Sequence, residues 1–362
     1  MPVAIVHDYL TQRGGAERVV LEMAAAFPGA PIHTSLYRPA GTFDAFAELD
    51  VRAGPLRHVP GLAAHHRLGL PLYAPAFSAT RVDADVVLCS SSGWAHGVRT
   101  DGRRVGYLHA PARWLHQTER YVGAGGRGRA ERAVLGVVGR PLRAWDRRAV
   151  ARLDVVLCNS SVVAEAVAEL YDRPATVVPP PPALVPGGPE RPVAEVDGGQ
   201  PFVVCVARLL PYKNVDVAIA AARRVGVALV VVGRGPDEAR LRALAAGPGS
   251  AVHVRTDVDD DQLRWLYRHC AALVAVSHED YGLTPLEAAS FGRPTVALRA
   301  GGYLDTMAED VTAVFVDAPE VVTVAAGLEA ALGRRWDATA VAAAVEPFDA
   351  AHFRRRLRQA IA

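Results

Sequence analysis

Lysine is nearly missing from this chain. Of its 40 Lys and Arg side chains, 39 are arginine and Lys213 is the lone lysine. Charge of either sign is also missing in net terms. The formal balance is +2, which gives no general case for nucleic-acid binding. No run of about 18 apolar residues occurs, so no membrane-spanning helix is expected. Cysteine is sparse. Cys89, Cys158, Cys205 and Cys270 each lie in or beside an apolar run, and none belongs to a C-x-x-C pair. That excludes the usual zinc spacings and points to buried free thiols in a reducing compartment. Val3–His7 reads at once as a strand, with no basic leader before an apolar stretch. A cytoplasmic chain is therefore expected.

What is present is globular. The 362 residues are 51% hydrophobic and 22% charged, with mean hydropathy +0.13. That length favours two domains. Short β-branched runs at 3–7, 31–35, 86–89, 104–108, 155–158, 176–178, 202–206, 227–232, 252–254, 273–276, 294–298 and 313–316 read as strands. Helical patterns alternate with most of them, notably at 15–27, 130–152, 160–171, 214–224, 236–246, 260–270 and 285–291. Apolar strands alternating with helices imply parallel sheets covered on both faces. The expected class is α/β, with two doubly wound domains facing each other across a cleft. Pro179–Pro182, then Pro186-Gly187-Gly188-Pro189 and Pro192, predict a stiff linker over 179–199. The domains are then 1–178 and 200–346. Residues 347–362 form a separate terminal helix, free to pack on either domain.

Four constellations carry chemistry. The first is Glu279-Asp280-Tyr281-Gly282-Leu283-Thr284-Pro285-Leu286-Glu287, after the strand at 273–276. A glycine turn leading to a proline in the first helical turn exposes backbone amides suited to an anion. Two carboxylates beside a phosphate make sense as acceptors for hydroxyl groups on either side. Glu287 alone would also suit the helix dipole. The second is Arg208 with Lys213, following the strand at 202–206. At about 4 Å and an effective dielectric near 20, each cation–phosphate pair is worth on the order of 4 kcal/mol before desolvation. Ordinary surface charges are the competing reading. The third is Arg13-Gly14-Gly15-Ala16-Glu17, a glycine pair where backbone approaches a ligand closely. It lacks the G-x-G-x-x-G spacing of a dinucleotide site. The fourth is His109, just beyond the strand at 104–108, in Leu108-His109-Ala110-Pro111-Ala112-Arg113-Trp114.

Taken in order, these features resemble retaining glycosyltransferases of family 4. The similarity rests on Glu279 and Glu287, on Arg208 with Lys213, on Gly14-Gly15 and on His109. Gly292-Arg293-Pro294 leading to Gly301-Gly302 adds to it. The opening His7-Asp8-Tyr9-Leu10 and the run from Leu108 to Trp114 are most similar to the bacterial mannosyltransferase-like branch. The resemblance implies a GT-B fold, with an N-terminal acceptor-binding domain and a C-terminal nucleotide-sugar-binding domain. It implies that Arg208 and Lys213 hold the donor diphosphate, that Glu287 accepts ribose hydroxyls, and that Glu279 contacts the donor sugar. Backbone at Tyr281, Gly282, Leu283 and Thr284 would hold sugar and phosphate. Gly14 and Gly15 would lie near the diphosphate, His109 would bond the sugar, and Val258 with Leu263 would flank the base. His109, Glu279, Arg208 and Lys213 are thus the expected catalytic group. No metal and no cofactor beyond the nucleotide-sugar co-substrate is implied. A GDP-linked sugar is the favoured donor, with UDP-sugars as the second choice.

The acceptor stays open among a glycan, a lipid-linked sugar and a small natural product. The branch often carries lysine near the position of His96, so any acceptor role there is undecided. Residues 127–152 are rich in arginine interleaved with Val134, Leu135, Val137 and Val138. They fit either a membrane-surface helix or a solvated face. An epimerase or phosphorylase on the same scaffold, or a non-catalytic transferase partner, are the alternatives.

Overall fold

The computed structural model describes residues 1–65, 69–116, 126–247 and 251–362. Contacts divide the chain into two units, Met1–Pro180 with Ala350–Ala362, and Pro181–Asp349. In the first, seven parallel strands run in the order β3-β2-β1-β4-β5-β6-β7. These are β1 (Val3–His7), β2 (Ile32–Thr34), β3 (Val51–Ala53), β4 (Val86–Ser91), β5 (Arg103–Leu108), β6 (Val155–Cys158) and β7 (Thr176–Val177). In the second, six parallel strands run β10-β9-β8-β11-β12-β13. These are β8 (Phe202–Val206), β9 (Ala228–Val232), β10 (Val252–Arg255), β11 (Ala272–Ala275), β12 (Thr295–Leu298) and β13 (Ala313–Val316).

Alternate residues of each strand feed opposite faces, which is why the runs are continuously apolar. In β1 and β4, Ile5 and Leu88 pack with Val19, Val20 and Phe353 on one side. Ala4, Val6, Val87 and Cys89 pack with Tyr73, Phe77 and Trp94 on the other. In the second unit Val203, Cys205 and Val231 meet the helices Val215–Val225 and Val321–Gly333. Val204, Val230 and Leu273 meet Trp265 and Tyr267. All four cysteines are buried thiols, none of them in a disulfide.

The stretch 179–199, expected as a stiff linker, packs from Pro181 onward with the second unit. The chain passes between units at Pro180–Pro181. Leu184, Val193 and Val196 are buried in its core. Glu190 pairs with Arg268 at 2.9 Å and Glu195 with Arg255 at 2.6 Å. Proline excludes regular structure here, but a few apolar anchors among the prolines suffice to hold the backbone down. The terminal helix Ala350–Ile361 belongs to the first unit. Phe353, Leu357 and Ile361 recur every four residues and are buried, each contributing about 1.5–3 kcal/mol. Arg354 pairs with Glu22 at 2.8 Å.

Each sheet reverses its winding once, between β1 and β4 in the first and between β8 and β11 in the second. Ligands of doubly wound sheets bind beyond the carboxyl ends of strands at that point. Gly14 and Gly15 follow β1, and Arg208, Lys213 and Glu279 follow β8 and β11, at these two places; His109 follows β5, and Val258 and Leu263 follow β10.

Candidate functional site

In the second unit, β8 and β11 run side by side, with Ala272 opposite Val203. Arg208 follows β8. It is exposed, and no side-chain ion pair or hydrogen bond engages it among the described residues. A short turn, Pro211–Lys213, then leads to Asn214 in the left-handed region, φ 53°, before the helix Val215–Val225. Asparagine tolerates that conformation. Its Nδ2 donates to the carbonyl of Val276 at 2.9 Å, tying the β8 turn to the end of β11. This places Lys213 against Glu279. The Lys213 ammonium donates to Oε1 of Glu279, and the hydroxyl of Ser277 donates to the same oxygen at 2.6 Å. The pair is mostly shielded, with side chains 13% and 17% exposed.

Glycine shapes the rest of the turn. Gly282 has φ 85° and starts the helix Leu283–Ser290, and a Cβ there would lie 2.2 Å from the Tyr303 ring. At Gly301, φ 67°, a Cβ would lie 2.2 Å from the carbonyl oxygen of Glu279. Gly302 donates its amide to that carbonyl at 2.9 Å. The Gly301-Gly302 pair therefore holds the backbone of Glu279 at a distance no larger residue allows. The Tyr281 side chain turns into an apolar cluster with Leu286 and Met307. Glu287 is buried, and Tyr267 donates to its Oε2 at 2.7 Å. Burial, and then the Glu287 charge, push the Tyr267 phenol far above its usual range, so it remains a donor. Val258 and Leu263 pack half-buried against the cluster that holds Trp265 and Tyr267.

In the first unit, Gly14 and Gly15 open the helix Gly15–Ala26 after β1. His109 follows β5, and its Nε2 meets the hydroxyl of Ser90 at 2.8 Å. Burial, and then the His7 charge, push His109 down to about 3, so its ring is neutral. His96 is buried and bonded through Nε2 to Asp146 at 3.0 Å, which gives it a packing role inside the unit. In the helix Gly126–Val150, Arg140, Arg147 and Arg148 are exposed while Leu142, Ala149 and Val150 are buried. The side chains of Val134, Leu135, Val137 and Val138, like those of Arg113 and Trp114, lie outside the described ones.

The donors that fix these groups were not among the sequence candidates. Ser277 lies one residue past the strand expected at 273–276 and belongs to no motif, and Tyr267 reads only as one apolar position of an amphipathic helix. Among the described residues no group of three His, Cys, Asp or Glu side chains is arranged to hold a metal ion. No helix among them is long and apolar enough to cross a membrane.

Two Rossmann-like units of this kind define the GT-B class of fold. The chain belongs to glycosyltransferase family 4: residues 13–181 match the model "Glycosyltransferase Family 4", and residues 189–341 match "Glycosyl transferases group 1". Curated relatives include a GDP-mannose-dependent alpha-(1-6)-phosphatidylinositol monomannoside mannosyltransferase of Mycobacterium tuberculosis. It is 35% identical over 174 residues, covering 43% of this chain and 45% of the relative. A D-inositol 3-phosphate glycosyltransferase of Segniliparus rotundus is 34% identical over 194 residues, covering 47% and 43%. The matched stretches thus span under half the length of these relatives. Among solved structures, HepE of Anabaena in complex with UDP-glucose has TM-score 0.69 at 17% identity, covering 99% of each chain. WaaG, a glycosyltransferase involved in lipopolysaccharide biosynthesis, has TM-score 0.62 at 15% identity, again covering 99% of each. These likenesses establish the fold.

Proposed function

We propose that the chain transfers a sugar from a nucleoside-diphosphate donor to an acceptor hydroxyl, with retention at the anomeric carbon and without a metal. The observation that carries this reading is the arrangement beyond β8 and β11. Lys213 is held by Glu279, while Arg208 stands nearby in sequence with no partner of its own among the described residues. Two cations stabilise a departing diphosphate electrostatically, the role a metal plays elsewhere. Glu279 directs Lys213 and accepts from a sugar hydroxyl. Glu287 accepts from the ribose, with Val258 and Leu263 flanking the base. Backbone of Gly282, Leu283 and Thr284 at the helix start takes phosphate oxygens. Gly14, Gly15 and His109 are assigned to the diphosphate and sugar by family resemblance. The acceptor hydroxyl attacks on the face the phosphate leaves, through an oxocarbenium-like state, and the departing phosphate oxygen takes its proton. No carboxylate nucleophile is needed.

GDP-mannose or a related GDP-hexose is the favoured donor, supported by the mannosyltransferase relatives. Solved structures of the same fold bind UDP or UDP-glucose, which makes UDP the competing base. A lipid-linked acceptor would suit the basic helix Gly126–Val150 resting on an anionic membrane at the cytoplasmic face; a glycan or small molecule is the alternative. A thermal-shift screen of nucleoside diphosphates and their sugars tests the donor, because a ligand of the native state raises its stability by mass action. GDP shifting the midpoint and UDP leaving it unmoved supports the proposal; the reverse overturns the base assignment. Turnover abolished by a chelator and restored by magnesium would refute the metal-free reading.

A further inference from the structure

We infer that Glu17, His7 and Ser90 form a relay that fixes the tautomer of His109, leaving Nε2 bare and presenting Nδ1–H as a donor. Nδ1 of His7 lies 3.1 Å from the carbonyl oxygen of Ser90 and 3.0 Å from its hydroxyl. A carbonyl oxygen only accepts, so this nitrogen carries a hydrogen. The Ser90 hydroxyl therefore cannot donate back to it. Ser90 is fully buried, and its hydroxyl has one other partner, Nε2 of His109 at 2.8 Å. The hydroxyl hydrogen is satisfied only by going to that nitrogen, since buried polar hydrogens rarely stay unpaired. Nε2 of His109 then bears no hydrogen, and in a neutral ring Nδ1 must bear it.

Glu17 anchors the far end. Its Oε1 lies 3.9 Å from Nε2 of His7, and both side chains are almost wholly buried. Burial opposes a charged His7, but Glu17, with help from Asp8 and the Ser90 carbonyl, outweighs it and raises the His7 pKa. The His7 pKa is raised and the His109 pKa lowered, so a positive charge shared by the pair falls on His7 before His109. The glycine turn takes part as well. A Cβ on Gly14 would lie 2.6 Å from Oε2 of Glu17, so Gly14 leaves room for this carboxylate. The His109 backbone is pinned on both sides, its amide donating to Ser91 at 2.9 Å and its carbonyl accepting from Asn159 Nδ2 at 2.9 Å. No described residue bonds Nδ1 of His109, so that donor is left for a ligand oxygen. His109 is then a fixed hydrogen-bond donor and not a base, with His7, Ser90 and Glu17 as positioning residues. The consequence for transfer rests on the reading of His109 as sugar-facing; the tautomer does not.

Two-bond proton–nitrogen correlation spectra of protein labelled with nitrogen-15 histidine read the tautomer directly, without substrate. His109 and His7 are assigned through their Cβ resonances and checked against His109→Gln. Expected near neutral pH are a neutral Nδ1–H pattern for His109 and a hydrogen on Nδ1 of His7. Glu17→Gln should lower the pH at which His7 loses its second proton, and Ser90→Ala should release His109 into a mixture of tautomers. A neutral Nε2–H pattern for His109 in the unmodified protein overturns the relay. So does a His109 pattern that Ser90→Ala leaves unchanged. A failed relay beside normal nucleotide binding is thereby distinguished from a failed donor assignment.

Discussion

Lys213 and Glu279 are 66 residues apart in sequence and joined by an ion pair at the ends of adjacent strands. Ser277 donates to the same carboxylate oxygen, so Glu279 holds the ammonium in one place. Arginine is a wide planar fork and does not fit a position built for a point charge. Lys213→Arg should nonetheless fold normally, because it keeps the positive charge that the Glu279 carboxylate faces. Its kcat/KM should fall about tenfold, or ~1.4 kcal/mol of transition-state stabilisation. Lys213→Ala should lose roughly 10²–10³-fold in kcat, the usual effect of deleting one electrostatic donor from such a site. Steady-state kinetics with a thermal melt alongside measures both. Wild-type turnover by Lys213→Arg would make the lone lysine an accident of an arginine-rich composition.

Gly301→Ala tests the backbone support of that pair. Alanine in the left-handed region costs about 1–2 kcal/mol, and its Cβ would stand 2.2 Å from the Glu279 carbonyl oxygen. The backbone has to move, so a total loss of at least ~2 kcal/mol is expected, with a raised KM for the donor. Gly333→Ala is the control, since a Cβ there meets nothing within 4 Å. Equal urea midpoints for the two variants would remove the argument.

Tyr267→Phe separates a support from a contact. The phenol donates to Glu287 inside the core, and deleting a buried donor to a carboxylate costs about 1–3 kcal/mol. Stability and nucleotide affinity should both fall. A double-mutant cycle with Glu287→Gln should give a coupling of about 0.5–3 kcal/mol, as expected for residues in contact. Titration calorimetry with the nucleoside diphosphate and urea unfolding report the two effects separately. Additive effects would show that Tyr267 does not act through Glu287.

The sequence carries most of this architecture because buried parallel strands are continuous apolar runs. The central strands of both sheets stand out in that way. β3, Val51-Arg52-Ala53, does not, being a three-residue edge strand with a charge in its middle. The helix Leu70–Ala79 is concealed by Pro71 and Pro75. Arg208, Lys213, Glu279 and His109 are visible because each lies in the loop that follows a strand, where a doubly wound sheet puts its ligands. The residues that hold them are not visible. Tyr267 reaches Glu287 only because the helix Asp260–His269 packs beside the helix that carries Glu287. Glu17 meets His7 only across the first βα turn, and nothing in local spacing marks either contact. The packing of the stretch 179–199 is hidden for the same reason, since Leu184 and Val193 find their burial in residues far along the chain.

Asp146 supplies a prediction that depends on pH. It is buried in the first unit and accepts from Nε2 of His116 at 2.8 Å, Nε2 of His96 at 3.0 Å and the hydroxyl of Tyr171 at 2.7 Å. Burial alone would raise its pKa. The hydrogen bonds from His116 and His96, the His96 charge and the Tyr171 hydroxyl together hold it well below the usual carboxylate range. The folded-state value therefore lies below the unfolded one. Its stabilisation is fully present above the unfolded value of about 3.9 and is lost as pH falls below that toward the folded value. Asp146→Asn keeps the shape but removes the charge that three donors surround. Near neutral pH it should destabilise by about 3–5 kcal/mol, the cost of breaking a buried charged pair. The gap between variant and parent should stay level down to about pH 5 and narrow steadily below about pH 4. Urea unfolding of both proteins across that range measures it. A gap that widened with acid would mean the network draws its stability from charged histidines and not from the ionised carboxylate.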